Sequence, residues 1–221
     1  MVALDNNGVS DTPKFHIGKL PPFSLTGFTA AVAALLTLAT IAAVGLGENG
    51  IRVGSQMAWR FSFFVFVVAV VAGPICRIAP FGLCRFIGPY GRQLIWSFCA
   101  AFGVYLASVL VPNLLRLPLP QQAGLDIGML LFVLLCGVLA AVMAYAASPQ
   151  AALRLGDKPQ RAILVVGVGY FWLTYAASGL SHISGPHRPE MFYGFSVSLL
   201  VLALLLRFLD RFLTKWNESP T

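Results

Sequence analysis

Six long apolar stretches, joined by short connections whose Lys and Arg gather on alternate sides, constrain this chain more than any motif does. A helix that crosses a hydrocarbon core needs roughly 20 apolar residues. Stretches of that kind run over 23–46, 57–76, 93–115, 124–147, 160–182 and 191–212. They are continuously apolar rather than alternating, which selects helices over a barrel. A chain that is 58% hydrophobic and 10% charged takes the bilayer as its solvent. The expected fold is therefore an all-α integral membrane protein: a six-transmembrane-helix bundle over 23–212, with a polar segment at 1–22 and a tail at 213–221. The opening segment carries Asp5 and Asp11 and lacks the basic start of a secretory signal, so it is expected to be retained.

Orientation follows from the Lys and Arg of the short connections. One side holds Lys14 and Lys19, then Arg77, Arg85 and Arg92, then Arg154, Lys158 and Arg161, then Arg207, Arg211 and Lys215. The opposite side holds Arg52, Arg60, Arg116 and Arg188. Both termini are expected in the cytoplasm, in the inner (cytoplasmic) membrane. The net charge of +7 then reads as a topology signal, supported by anionic lipid, and no basic surface domain exists to bind nucleic acid.

Several chemistries are disfavoured. A charge at the bilayer centre costs a few kcal/mol, and the apolar stretches keep theirs near the ends: Arg60 and Arg207 are placed to snorkel, and Asp210 lies one helical turn beyond Arg207. No charged residue at mid-span marks a transport site, and no ring of polar side chains recurs at one depth to line a pore. Cys99 and Cys136 fall inside spans, where a thiol behaves as a small hydrophobe. Cys76 and Cys84 bracket a turn expected in a reducing compartment, at a separation unsuited to a zinc knuckle. Small residues supply the packing seams: Gly137, Ala140, Ala144 and Ala147 in the fourth span, Gly167, Gly169, Ala176 and Ala177 in the fifth. Pro74 is expected to bend the second span, and Pro112, Pro118 and Pro120 punctuate the connection after the third.

The order of motifs carries a family resemblance. The stretch GSQMAWRFSFFVFVVAVVAGPICRI, followed by GPYGRQLIWSFCAAFGVYLA, resembles the ferric-reductase-like transmembrane family, in particular bacterial haem-binding membrane subunits that serve a periplasmic methionine sulfoxide reductase. The matching positions are Trp59, Arg60, Pro74, Arg77 and Arg92. Further along, AAVMAYAASPQAALRLGDKPQRAILVVGVGYFWL is similar to the family at Ser148, Leu155, Gly156 and Tyr170, and the likeness covers Ser55 to His182.

The resemblance implies electron transfer through b-type haem held by histidines on facing helices. Imidazole suits that task because one neutral nitrogen binds iron while the other is oriented by an acceptor. This chain departs from the pattern. Its third span has no histidine, and Tyr105 and Val166 stand near the expected ligand positions. His182 and His187, in SHISGPHRPE after the fifth span, are the remaining candidate cofactor ligands, for haem or a metal; His16 falls on the other side. No catalytic or metal-binding set is expected, and the loops are too short for a Gly-rich phosphate cradle.

The expected role is an accessory or structural membrane protein with a ferric-reductase-like bundle, haem-free and not an enzyme by itself. It would dock in, or anchor, a membrane redox complex beside another membrane or periplasmic protein. The alternative is an electron-transfer subunit that holds haem b through nonstandard ligands and passes electrons to a periplasmic acceptor.

Overall fold

The computed structural model describes residues 22–78, 90–114, 127–184 and 191–218. Seven α-helices account for nearly all of them, and no strand occurs among the described residues. They are α1 (Pro22–Val44), α2 (Glu48–Ile78), α3 (Gly91–Leu114), α4 (Ile127–Ala147), α5 (Pro149–Leu155), α6 (Asp157–Ile183) and α7 (Met191–Glu218). Five helices are long and apolar enough to cross a membrane: α1, α2, α3, α6 and α7. The pair α4 and α5, bent by 73° at Ser148, makes a sixth if it is counted as one span. The chain is therefore a multi-pass helical membrane protein, whose spans satisfy most of their backbone polar groups within their own helices.

Helix bounds differ from the apolar stretches where charge and helix geometry part company. The second stretch begins at 57 because Glu48 and Arg52 interrupt the apolar run, yet α2 begins at Glu48. Both charged residues are exposed, so the helix carries them past the apolar core at no burial cost. Likewise α7 runs to Glu218, through most of the expected tail. Pro74 and Pro112 both lie inside helices, α2 and α3. Residues 1–21, the polar opening segment with His16, lie outside the described residues, as do Cys84, Pro118, Pro120 and His187.

Two junctions are set by local chemistry. After α1, Gly45 takes φ 108° and donates its N–H to the Ile41 carbonyl at 2.8 Å. A side chain at that φ would be strained, so glycine permits the tight return into α2. After α4, the Ser148 hydroxyl accepts the Ala151 N–H at 3.2 Å, and Pro149 occupies the first turn of α5. An N-cap followed by a first-turn proline starts a new helix in a new direction. The Gln160 side-chain amide, buried, then donates to the Ala146 carbonyl at 2.6 Å and straps α6 to the bend.

Neighbouring helices pack in a closed order. α1 lies on α2 and α3, α2 also on α7, α3 on α4, α4 on α6, and α6 on α7. The α1–α2 seam depends on Gly50 and Gly54, four residues apart. A Cβ at Gly50 would collide with the Gly45 carbonyl oxygen, and one at Gly54 would lie 2.6 Å from Ile41 Cγ1. Lipid offers no hydrophobic drive between helices, so such close backbone approach supplies the attraction. The expected small-residue seams recur at Gly137, 3.2 Å from Leu106 by the same measure, and at Gly167, whose missing side chain makes room for Met143. Gly169 meets nothing within 4 Å and serves no seam.

Candidate functional site

The interior divides into a closed part and an open part, and a single stripe on α2 passes through both. In the closed part Phe63 and Phe66 of α2, Phe98 and Phe102 of α3, and Phe171 and Tyr175 of α6 are almost fully buried against one another. Ring centroids lie 4.9 Å apart for Phe98–Phe171 and Phe102–Phe171, both edge to face, and 5.1 Å apart for Phe66–Phe98. Such geometry sets the positive edge of one ring against the negative face of another. The Tyr175 hydroxyl finds its partner at Ser62 Oγ, 2.8 Å away, so the one polar atom of the cluster is satisfied.

One turn further along α2 the rings give way to a cavity of about 830 Å³. Its floor is Trp59, which stands 4.5 Å from Tyr175 and 4.9 Å from Tyr105 between ring centroids. One face of α2 forms a wall, carrying Glu48, Ile51, Arg52, Ser55 and Gln56. Spacings of three and four residues put these on one side of a helix. α3 contributes Tyr105, Leu106 and Val109, α4 contributes Phe132, Val133 and Cys136, and α6 contributes Thr174, Ala177, Ser178, Ser181 and His182. The start of α2, the ends of α3 and α6 and the start of α7 meet at this mouth, so the cavity belongs to one end of the bundle, the Glu48 end.

His182 is therefore placed at the rim. It is exposed, its ring stacks on Tyr193 at 4.0 Å and 16°, and its Nδ1 lies 2.8 Å from the Ser178 carbonyl. A carbonyl partner accepts Nδ1–H and leaves Nε2 as the free nitrogen. The Arg60 guanidinium lies over the Phe192 ring at 4.7 Å and fastens the start of α7 to α2 by a cation–π contact. At the opposite end Arg77 of α2 reaches Asp210 of α7 at 3.1 Å. Asp210 thus joins two helices as well as standing one turn from Arg207.

The residues present do not fit a haem held between helices in mid-bundle. The space between α2, α3 and α6 is filled by phenylalanine rings, and no histidine is among them. Val166 is 65% exposed on α6, whereas Tyr105 packs against the core, so the two do not form opposed ligand positions. At the cavity His182 is the only histidine among the described residues, because His187 lies outside them. Among the described residues no three His, Cys, Asp or Glu side chains converge as a metal site. Cys99 and Cys136 are free thiols.

The sequence singled out His182 but not the cavity around it. The missed residues are Glu48, Arg52, Ser55 and Gln56. Their signal is present as polar residues recurring every three or four positions before an apolar run, and Gly50 and Gly54 within that stretch form the GxxxG pattern of a tight helix pair. No protein-family model matches the chain, and no curated protein or solved structure matches it.

Proposed function

We propose that this protein is an accessory integral membrane subunit, haem-free and not an enzyme by itself, that docks in or anchors a membrane complex. The observation that carries this reading is the closed aromatic cluster. Rings from α2, α3 and α6 interlock at mid-bundle, so the bundle is built for rigidity at its centre. The assignment of that complex to redox metabolism rests only on the motif resemblance at Trp59, Arg60, Pro74, Arg77 and Arg92 and at Ser148, Leu155, Gly156 and Tyr170.

In this reading α4 and α5 together count as the sixth span, and the Glu48 end faces the periplasm. Support comes from charge: among the described residues Arg77, Arg92, Arg154, Lys158, Arg161, Arg207 and Arg211 belong to the far end, against Arg52 and Arg60. Both termini are then cytoplasmic, in the inner membrane. A reporter fused after Thr221 is expected to be active only in the cytoplasm.

An absorption spectrum of the purified, dithionite-reduced protein tests the haem-free role. A colourless protein is expected. A stoichiometric Soret band that disappears in His182→Ala would replace the reading with that of a haem-carrying electron-transfer subunit.

A further inference from the structure

The cavity at the Glu48 end is a built amphiphilic site, and its ligand class is legible from its walls. It spans α2 from Glu48 to Trp59, eleven residues and so about 16 Å along the axis. Its volume of about 830 Å³ falls in the usual range for small-molecule sites, roughly 300–1,000 Å³. Polarity changes along that depth. Near Trp59 the walls are Phe102, Tyr105, Leu106, Val133 and Cys136, mostly apolar surface with the Tyr105 phenol as a polar exception. Lipid chains surround a bundle of this kind, and an open cavity of this size with mostly apolar inner walls can admit one.

The rim specifies the other end of the ligand. Glu48 and Arg52 are exposed, one helical turn apart on the same face of α2, and neither forms an ion pair among the described residues. Across the mouth His182 and Ser181 of α6 add hydrogen-bonding groups. His182 is held in place by its stack on Tyr193 and its contact with the Ser178 carbonyl. A carboxylate and a guanidinium side by side complement a head that carries both an ammonium and a phosphate. A head with an anionic group alone would meet Glu48 as well as Arg52.

We propose that the cavity binds a zwitterionic lipid by one acyl chain, the chain end resting on Trp59, the head amine at Glu48 and the phosphate at Arg52 with His182. The proposal does not depend on the accessory role or on the motif resemblance, since it uses only the cavity's own walls.

Trp59 supplies the reporter, because bromine on a lipid chain quenches indole fluorescence at short range. The full-length protein in maltoside micelles is titrated with a monoacyl phosphoethanolamine whose chain is dibrominated. Saturable quenching is expected, and Trp59→Phe removes the saturable component. Ala177→Phe and, independently, Gln56→Phe fill the cavity from opposite walls and abolish saturation, with thermal unfolding of each variant checked in the same micelles. Dibrominated stearate, which lacks the amine, is expected to half-saturate roughly fivefold higher, the ceiling for a solvent-exposed ion pair. Glu48→Gln erases that preference. Quenching that rises without saturation and is unchanged by Ala177→Phe and Gln56→Phe would show partition into the micelle only and overturn the site. Equal half-saturation by the two probes would overturn the zwitterionic head.

Discussion

The two halves of the stripe on α2 are made of one helix and one face, yet they do opposite things. From Glu48 to Trp59 the face borders open volume, whereas from Ser62 through Phe63 and Phe66 to Val70 it is buried against other helices. The upper half carries polar residues, Glu48, Arg52, Ser55 and Gln56, where the lower carries rings, yet polarity by itself opens no cavity. What separates them is how well facing side chains fill the space. Phe98, Phe102 and Phe171 close the lower half from α3 and α6. Ala177, Ser178 and Ser181 of α6 are too small to close the upper half.

Substitutions on the two sides of that boundary are expected to differ most on α6. Phe171 is fully buried, so Phe171→Ala should lower stability by about 3–5 kcal/mol through the cavity it leaves. Leu173, two residues on and exposed at the cavity, should change stability by less than about 0.5 kcal/mol when replaced by alanine. Thermal unfolding of both variants in one detergent checks the contrast, and equal losses would mean that the upper half is packed as tightly as the lower.

A smaller effect separates glycines at the seam from glycines at the surface. Gly54→Leu must displace Ile41 and is expected to cost about 1–3 kcal/mol. Gly103→Ala meets nothing within 4 Å and should be neutral or stabilising by up to about 1 kcal/mol, since alanine is the better helix former. The same unfolding measurement reads both, and a stable Gly54→Leu protein would show that α1 and α2 do not approach closely there.

The smallest effect tests the polar atom at the boundary. Tyr175→Phe removes the bond to Ser62, which keeps a second contact with the Trp59 carbonyl at 2.8 Å. A loss near 0.6 kcal/mol is expected, the mean for interhelical hydrogen bonds in membranes. A much larger loss would mean that Tyr175 also sets the position of Trp59, its neighbour at 4.5 Å.

How much of this was legible in the sequence follows the same division. The long apolar helices were, because span length and continuous apolarity are one-dimensional properties: 160–182 anticipates Asp157–Ile183, and 191–212 anticipates the apolar part of Met191–Glu218. The break after Ala147 agrees with the stretch 124–147, but the short helix α5 that follows was missed, since a span count looks for length and α5 has only 7 residues. The GxxxG pattern at Gly50 and Gly54 was missed because Glu48 and Arg52 pushed the expected start of the span to 57. The candidate site was legible only at His182. A cavity is a failure of several distant segments to fill a volume, and no single segment records it: Ser55, Cys136 and Ala177 each read as ordinary small residues in apolar helices.

The central claim, that one face of α2 passes from open cavity to closed core at Trp59, is tested most directly by two engineered thiols. With the native cysteines replaced, Ser55→Cys and Ser62→Cys place thiols seven residues, about two turns, apart on that face. A small, charged, water-soluble methanethiosulfonate applied to the folded, delipidated protein is expected to label position 55 within minutes and leave position 62 unmodified until the protein is denatured. Equal labelling of both positions, or protection of both, would contradict the account.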